Sequence, residues 1–371
     1  MTAEGAIEFE ALEAQAASLM NVFVAAGYER VAPAFIQPAS LFLDRIGEAL
    51  RARTYVFTDP NLTIPVARVF LERGASLPAR YCYNGPAFRI QEGKPDPRSP
   101  REFRQAGIEY FGRGGGGADP DVEVFTLVVS ALRRSGLKDF VVRTGDLGLF
   151  SALLDSVSMP RRWRDRLAHA LWRPSAFARE LAVLVADEKQ TAPALPSAAL
   201  TEAGFLAYLD KEGIPFIGAR RPAEVVARLN DKAADARARP LPKATARLIE
   251  DYLRIGGPSS AAFDAVDRLF SGAGLGLDAV LSKVVDLHET LAKAVAPAKV
   301  VFSADFGRHF EYYTGMVFQV EVEGAGIAGH IAGGGRYDGL IRALSGGEQD
   351  VPAVGAAIHT ERLLAAVSKG L

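Results

Sequence analysis

Apolar residues recur every three to four positions between residues 7 and 26, at Leu12, Ala16, Leu19 and Phe23, which predicts an amphipathic opening helix. Glu8, Glu10 and Glu13 fall near its start, where carboxylates oppose the positive end of the helix dipole. After Gly27 the period shortens to two. Residues 28–31, 54–57 and 80–83 then read as short strands, and 103–111 and 140–143 as longer ones. Asp119 follows a run of glycines and precedes Pro120, an N-cap and first-turn pair that predicts a helix to about Arg134. The first 148 residues therefore read as α+β.

From residue 149 to 296 the texture changes to Ala, Leu and Arg at helical spacing, cut by prolines from Pro160 to Pro258 into short helices. This stretch predicts a mostly helical domain inserted into the chain. Strands return at 299–303, 317–322 and 327–331, the last two joined as a hairpin through Gly324 and Gly326. Helices are expected near 337–344 and 360–369. The expected organisation is a discontinuous core of residues 1–148 and 297–371 around an insertion of 149–296.

Composition narrows the class. The chain has 371 residues, 49% apolar and 23% charged, in the range of ordinary globular proteins. Lys and Arg number 43 against 44 Asp and Glu, so no global positive field favours a nucleic acid. The only local basic cluster is Arg161, Arg162, Arg164 and Arg166 around Trp163, read as a solvated helix face anchored by the tryptophan. Cys82 is the only cysteine, which excludes an internal disulfide and a multi-cysteine metal centre. His169, His288 and His330 lie far apart, so neither a metal nor a cofactor is expected. The acidic N-terminus lacks the pattern of a signal peptide and no apolar run approaches membrane-spanning length, so a cytoplasmic location is expected.

Three stretches place polar, aromatic and glycine residues where a plain strand would carry aliphatics. The first runs from Arg80 to Arg89, followed after a polar loop by Arg101 to Glu109. On that second strand Phe103, Gln105, Gly107 and Glu109 share a face by period two, so Gln105 and Glu109 project together, and a neighbouring arginine is suited to pairing with a carboxylate or phosphate. The other two are Phe306 to Gly315, with its consecutive Tyr312 and Tyr313, and Ala332 to Gly339, with three successive glycines. Taken singly, each also reads as a solvated hairpin or a tight turn. The triple glycine fits neither the dinucleotide nor the Walker phosphate pattern.

Their order and separation resemble one family. Phe88-Arg89 with Arg101-Glu102-Phe103-Arg104-Gln105 is similar to motif 2 of a class II aminoacyl-tRNA synthetase. Glu311 to Gly315 and Gly334 to Asp338 resemble the two histidine-recognition motifs of histidyl-tRNA synthetase, and Glu361-Arg362-Leu363 resembles the end of motif 3. The resemblance implies an antiparallel six-stranded sheet flanked by helices, dimeric through the region around Phe35 to Phe42. Departures from the pattern point away from adenylation: Gln91 stands where motif 2 carries an acid, His359 where motif 3 leaves room for ATP, and Asn61 where an acid receives the substrate ammonium. Only nine residues follow Arg362, against about 90 for an anticodon-binding domain.

This combination resembles the regulatory subunit family of ATP phosphoribosyltransferase. The resemblance implies a non-catalytic subunit in the first step of histidine biosynthesis. Its partner is a short-form catalytic subunit, in a hetero-octamer, and it confers feedback by L-histidine. It also implies a histidine-like pocket of Thr63, Arg89, Gln105, Glu109, Arg308, Tyr312 and Tyr313, with weak affinity because Asn61 replaces the acid, and no tRNA or membrane partner. Two rival readings use the same residues: a truncated synthetase paralogue that adenylates an amino acid with Arg89, Arg308 and Arg362, and a tRNA-binding module.

Overall fold

A computed structural model describes residues 6–32, 62–88, 102–114, 119–186, 201–216, 221–235, 238–307, 312–323 and 329–370, with side chains from residue 10 onward. Two compact units form. One comprises residues 1–156 with 251–371, the other residues 157–250.

The first unit contains, in chain order, α1 (Ala6–Ala25), β1 (Glu29–Arg30), α2 (Thr63–Arg73), β2 (Ala79–Phe88), β3 (Glu102–Phe111), α3 (Pro120–Arg134), β4 (Val141–Asp146) and α4 (Leu147–Ser156). It resumes with β5 (Gly256–Pro258), α5 (Ser259–Gly272), α6 (Asp278–Val295), β6 (Lys299–Ser303), β7 (Met316–Glu321), β8 (Ala332–Arg336), α7 (Gly339–Leu344), β9 (Ala353–His359) and α8 (Thr360–Ser368). The strands build one sheet in the order β1-β2-β3-β9-β8-β7-β4-β6-β5. From β2 to β4 every neighbour is antiparallel, which is the six-stranded sheet the motifs implied. β1 and β6 extend it in parallel at the two ends, and β5 adds an antiparallel edge.

Alternation assigns the two faces of the sheet. One face carries Cys82, Ile108, Tyr110, Val142, Phe318, Val320, Val354 and Ile358, covered by Leu19 and Phe23 of α1, Val124, Phe125 and Val128 of α3, Leu291 of α6 and Leu363 of α8. The other carries Tyr81, Tyr83 and Phe111, packed under Ile64, Ala67 and Phe70 of α2 and Leu340 and Ile341 of α7. Asp119 caps α3 as expected, its side chain accepting from the Asp121 amide at 2.8 Å with Pro120 beside it.

Several expected boundaries move. Residues 251–296 belong with the sheet rather than with the helical unit: β5 pairs with β6, and Leu291 and Val295 of α6 enter the sheet's core. Helical periodicity shows which face is buried but not which unit buries it. The hairpin turn at 324–326 and residues 327 and 328 of the strand expected at 327–331 lie outside the described residues; β8 runs from Ala332 to Arg336, antiparallel to β7, so the triple glycine lies inside a strand rather than in a turn. β9, made of Ala353-Val354-Gly355-Ala356-Ala357-Ile358-His359, has no counterpart in the sequence reading. The regions 54–57 and Phe35 to Phe42 lie outside the described residues.

The second unit holds helices Arg161–Ala170, Pro174–Val185, Glu202–Lys211 and Pro222–Asp235 and most of the helix Lys243–Leu253. Trp163 anchors the basic helix as expected and Arg161 is exposed, but Arg162 and Arg166 are drawn inward. Asp235, its side chain largely covered, accepts from Trp163 Nε1 at 2.6 Å, from Arg166 at 3.3 Å and from Arg162, while Arg166 also pairs with Glu180. Arg162 and Arg166 are thus neutralised within the unit, and Arg161 pairs with Asp165 at 3.9 Å on the exposed side.

Candidate functional site

The candidate site grows from β3. Because Phe103, Gln105, Gly107 and Glu109 alternate with Ala106, Ile108 and Tyr110, the first set faces away from the large core and toward α2 and α7. β2 sets Tyr83 opposite Gly107, and β9 sets Gly355 opposite Glu109 and His359 opposite Gln105. The glycines create the room. A Cβ on Gly107 would overlap the Tyr83 ring, and one on Gly355 would overlap the Glu109 carboxylate.

Glu109 is fully buried and caged by hydroxyls. Oε1 accepts from Thr63 Oγ1 at 2.7 Å and Tyr83 OH at 3.3 Å, and Oε2 accepts from Tyr337 OH. Burial pushes its pKa from the usual 4.5 up to about 7, against the pull of the three donors, which favour the charged form. The same burial, together with the neighbouring carboxylate, holds the Tyr83 and Tyr337 hydroxyls well above their usual range. Both tyrosines therefore stay neutral and act as donors.

Tyr312 and Tyr313 complete an aromatic wall. Their rings lie 4.8 Å apart, and the Tyr337 ring meets them edge-on at 5.5 and 6.3 Å. Further along the same face of β3, Gln105 is buried and its Oε1 has no hydrogen-bond partner among the described residues. An orphaned buried carbonyl of that kind costs about 1–3 kcal/mol, which a ligand N–H would recover. His359 lies beside Gln105, its ring tilted against Phe103 at 4.9 Å and edge-on to His330 at 5.1 Å, so its imidazole occupies this end of the face.

Five of the seven residues expected from the sequence are described: Gln105 and Glu109 on β3, Thr63 at the first turn of α2, and Tyr312 and Tyr313 just before β7. Arg89 and Arg308 lie outside the described residues, as does Asn61. Tyr83, Tyr337 and Gly355 were missed. Tyr337 stands inside the Gly334 to Asp338 motif, and the alternation of Tyr81 with Tyr83 was a usable signal; Gly355 carried none. Among the described residues no group of three or more His, Cys, Asp or Glu is placed to hold a metal. His288 is a core residue, its Nδ1 2.8 Å from the Val284 carbonyl and its pKa lowered to about 4 by burial.

A sequence model of the histidyl-tRNA synthetase family matches residues 6–212 and 217–363. Among curated proteins, the ATP phosphoribosyltransferase regulatory subunit of Allorhizobium ampelinum is 33% identical, with 94% of this chain and 96% of that protein covered. The regulatory subunit of Mesorhizobium japonicum is 32% identical over the same shares. The chain belongs to the ATP phosphoribosyltransferase regulatory subunit family. Solved structures agree on the fold. A Bacillus halodurans protein described as an ATP phosphoribosyltransferase regulatory subunit/histidyl-tRNA synthetase superposes with a TM-score of 0.63 at 21% identity, covering 99% of this chain and 82% of that one. A histidyl-tRNA synthetase from Nostoc gives 0.58 at 17% identity, covering 96% and 72%. Membership of the regulatory subunit family thus goes with a synthetase-like sheet that carries the buried Glu109 cluster.

Proposed function

We propose that this chain is a regulatory subunit of ATP phosphoribosyltransferase without catalysis of its own. In this reading it binds and activates a short-form catalytic subunit, and its Glu109 pocket receives L-histidine as the feedback signal. A homodimer through the synthetase-like core, within a hetero-octamer, is part of the same proposal.

The observation that carries the ligand reading is the Glu109 cage. A buried carboxylate with three neutral hydroxyl donors is suited to a cationic or N–H-bearing ligand, which can take over one donor's place and hold the acid in its charged form. The orphaned Gln105 carbonyl offers a second acceptor on the same face. The tyrosine rings give an imidazole an apolar wall with polar edges. Regulation would follow from differential affinity of the ligand for active and inhibited assemblies. The imidazole of His359, packed against Phe103 and His330, speaks for the non-catalytic reading, because it fills a place that the synthetase pattern keeps small.

Calorimetry of L-histidine on the purified chain tests the pocket. Binding weaker than micromolar is expected, abolished by Glu109→Gln; the absence of any binding would remove the pocket from the account. Histidine-dependent ATP–pyrophosphate exchange should be undetectable, and turnover in this assay would favour the adenylating alternative.

A further inference from the structure

Arg336 closes β8, bonds none of the groups around Glu109, and yet ties together the segments that carry three of the tyrosines there. Its guanidinium is mostly buried and faces three carboxylates: Nε lies 2.9 Å from Asp121, Nη1 3.1 Å from Asp338 and Nη2 3.9 Å from Asp119. Asp121 sits in the first turn of α3, with its Oδ1 buried and unpartnered among the described residues, so Arg336 is what holds that side chain.

The stem and backbone of Arg336 grip the tyrosine segment. Thr314 N donates to the Arg336 carbonyl at 2.8 Å, and the Asp338 amide donates to Thr314 Oγ1 at 3.0 Å. A Cβ placed on Gly315 would lie 3.1–3.4 Å from Arg336 Cβ, Cγ and Cδ, so the segment rests directly on the arginine's methylenes. On its far side Gly315 accepts from the amide of Leu147 at 3.0 Å. The next residue, Tyr337, donates through its amide to Ala353 at 2.7 Å and through its hydroxyl to Glu109. Asp338 Oδ1 also accepts from the Ala353 amide at 3.2 Å.

We infer that Arg336 is a positioning residue: it locks the two tyrosine-bearing segments of the pocket, residues 312–315 and Tyr337, to the start of α3. The inference rests on the reading of the Glu109 face as a ligand site. A planar fork satisfies carboxylates on two elements while its stem carries a third segment, a geometry that a lysine ammonium cannot reproduce. The lock also has a pH dependence. Asp121 and Asp146 are both buried and pushed up to about 6, and the Arg336 charge opposes that rise in each. The charged and titratable groups around the lock are Asp119, Asp121, Asp146 and Asp338, with the buried Tyr252 hydroxyl beside Asp146. As Asp121 gains its proton the guanidinium loses its buried partner, and the tyrosine segment loosens while the sheet persists.

The test uses the full chain labelled with fluorotyrosine, with Tyr312, Tyr313 and Tyr337 assigned by Tyr→Phe variants and Tyr208 of the second unit as reference. In Arg336→Met and Asp121→Asn the resonances of Tyr312 and Tyr313 should shift and broaden while that of Tyr208 stays. The Kd for L-histidine should rise about tenfold, the loss expected when roughly one hydrogen bond's worth of positioning goes. In the wild type the Tyr312 and Tyr313 resonances should move as the pH falls through about 6, and in Asp121→Asn that movement should shrink to the share that Asp146 and Glu109 leave. Arg336→Lys should restore the resonances only in part. Unmoved Tyr312 and Tyr313 signals in either folded variant overturn the inference, and Asp121→Asn decides alone if Arg336→Met does not fold. Failure of the wild type to bind L-histidine instead defeats the pocket reading and leaves the resonance comparison standing.

Discussion

Glu109 shows which effect wins at the scale of one residue. Three donors favour its charged form, yet burial outweighs them and leaves the pKa near 7 instead of 4.5. Between those two pH values the folded chain keeps a proton that the unfolded chain has released, so stability falls as pH rises through the window. Asp121 and Asp146, raised from 3.8 to about 6, add in the same direction. Thermal melts across this range should show Glu109→Gln gaining on the wild type by about 1.4 kcal/mol per pH unit until the pH passes about 7. Parallel curves would mean that Glu109 is charged throughout. Removing one donor should act oppositely on the acid: Tyr337→Phe is expected to destabilise the fold by about 1–3 kcal/mol and to raise the Glu109 pKa further, read by carboxyl chemical shifts. Gln105, Glu109 and their shared face were legible from strand alternation, and Thr63, Tyr312 and Tyr313 from motif resemblance. Tyr83 and Tyr337 were signalled by alternation and by a motif, but that their hydroxyls meet at Glu109 depends on the register between strands, which no single stretch of sequence contains.

At the scale of elements, α3 was the most legible, since Asp119 and Pro120 mark its start and the apolar face runs unbroken through Val124, Val128 and Leu132. Asp119→Ala should cost about 1 kcal/mol through the lost cap, measured by denaturant titration. β8 and β9 were the least legible because close approach of the site, not strand propensity, selects their residues. Glycine and alanine give no apolar alternation to read, yet Gly355 must stay bare for the Glu109 carboxylate to lie over it. Gly355→Ala is therefore expected to destabilise by about 1–3 kcal/mol and to abolish L-histidine binding. Gly339→Ala makes the contrasting case: nothing lies within 4 Å of the added methyl, at the first position of α7, and the change should stabilise by about 0.4–1 kcal/mol. Equal effects of the two substitutions on melting temperature would contradict this account of the glycine floor.

For the whole molecule, the motif order foretold a split synthetase-like core, and the six antiparallel strands from β2 to β4 are that core. The extent of the helical unit was harder to read, because α5 and α6 share the Ala- and Leu-rich texture of residues 157–250 while packing with the sheet. Near-neutral net charge and the internal pairing of Arg162 and Arg166 with acids fit a protein partner better than a polyanion. The proposed function is a coupling between the Glu109 pocket and a catalytic partner, so its most direct measurement is reconstitution. A short-form catalytic subunit is assayed for phosphoribosyl transfer to ATP alone, with this chain, and with this chain plus L-histidine. The account predicts a stable complex, activity that depends on this chain, and inhibition by L-histidine that Glu109→Gln weakens. Absence of both complex and stimulation would contradict it.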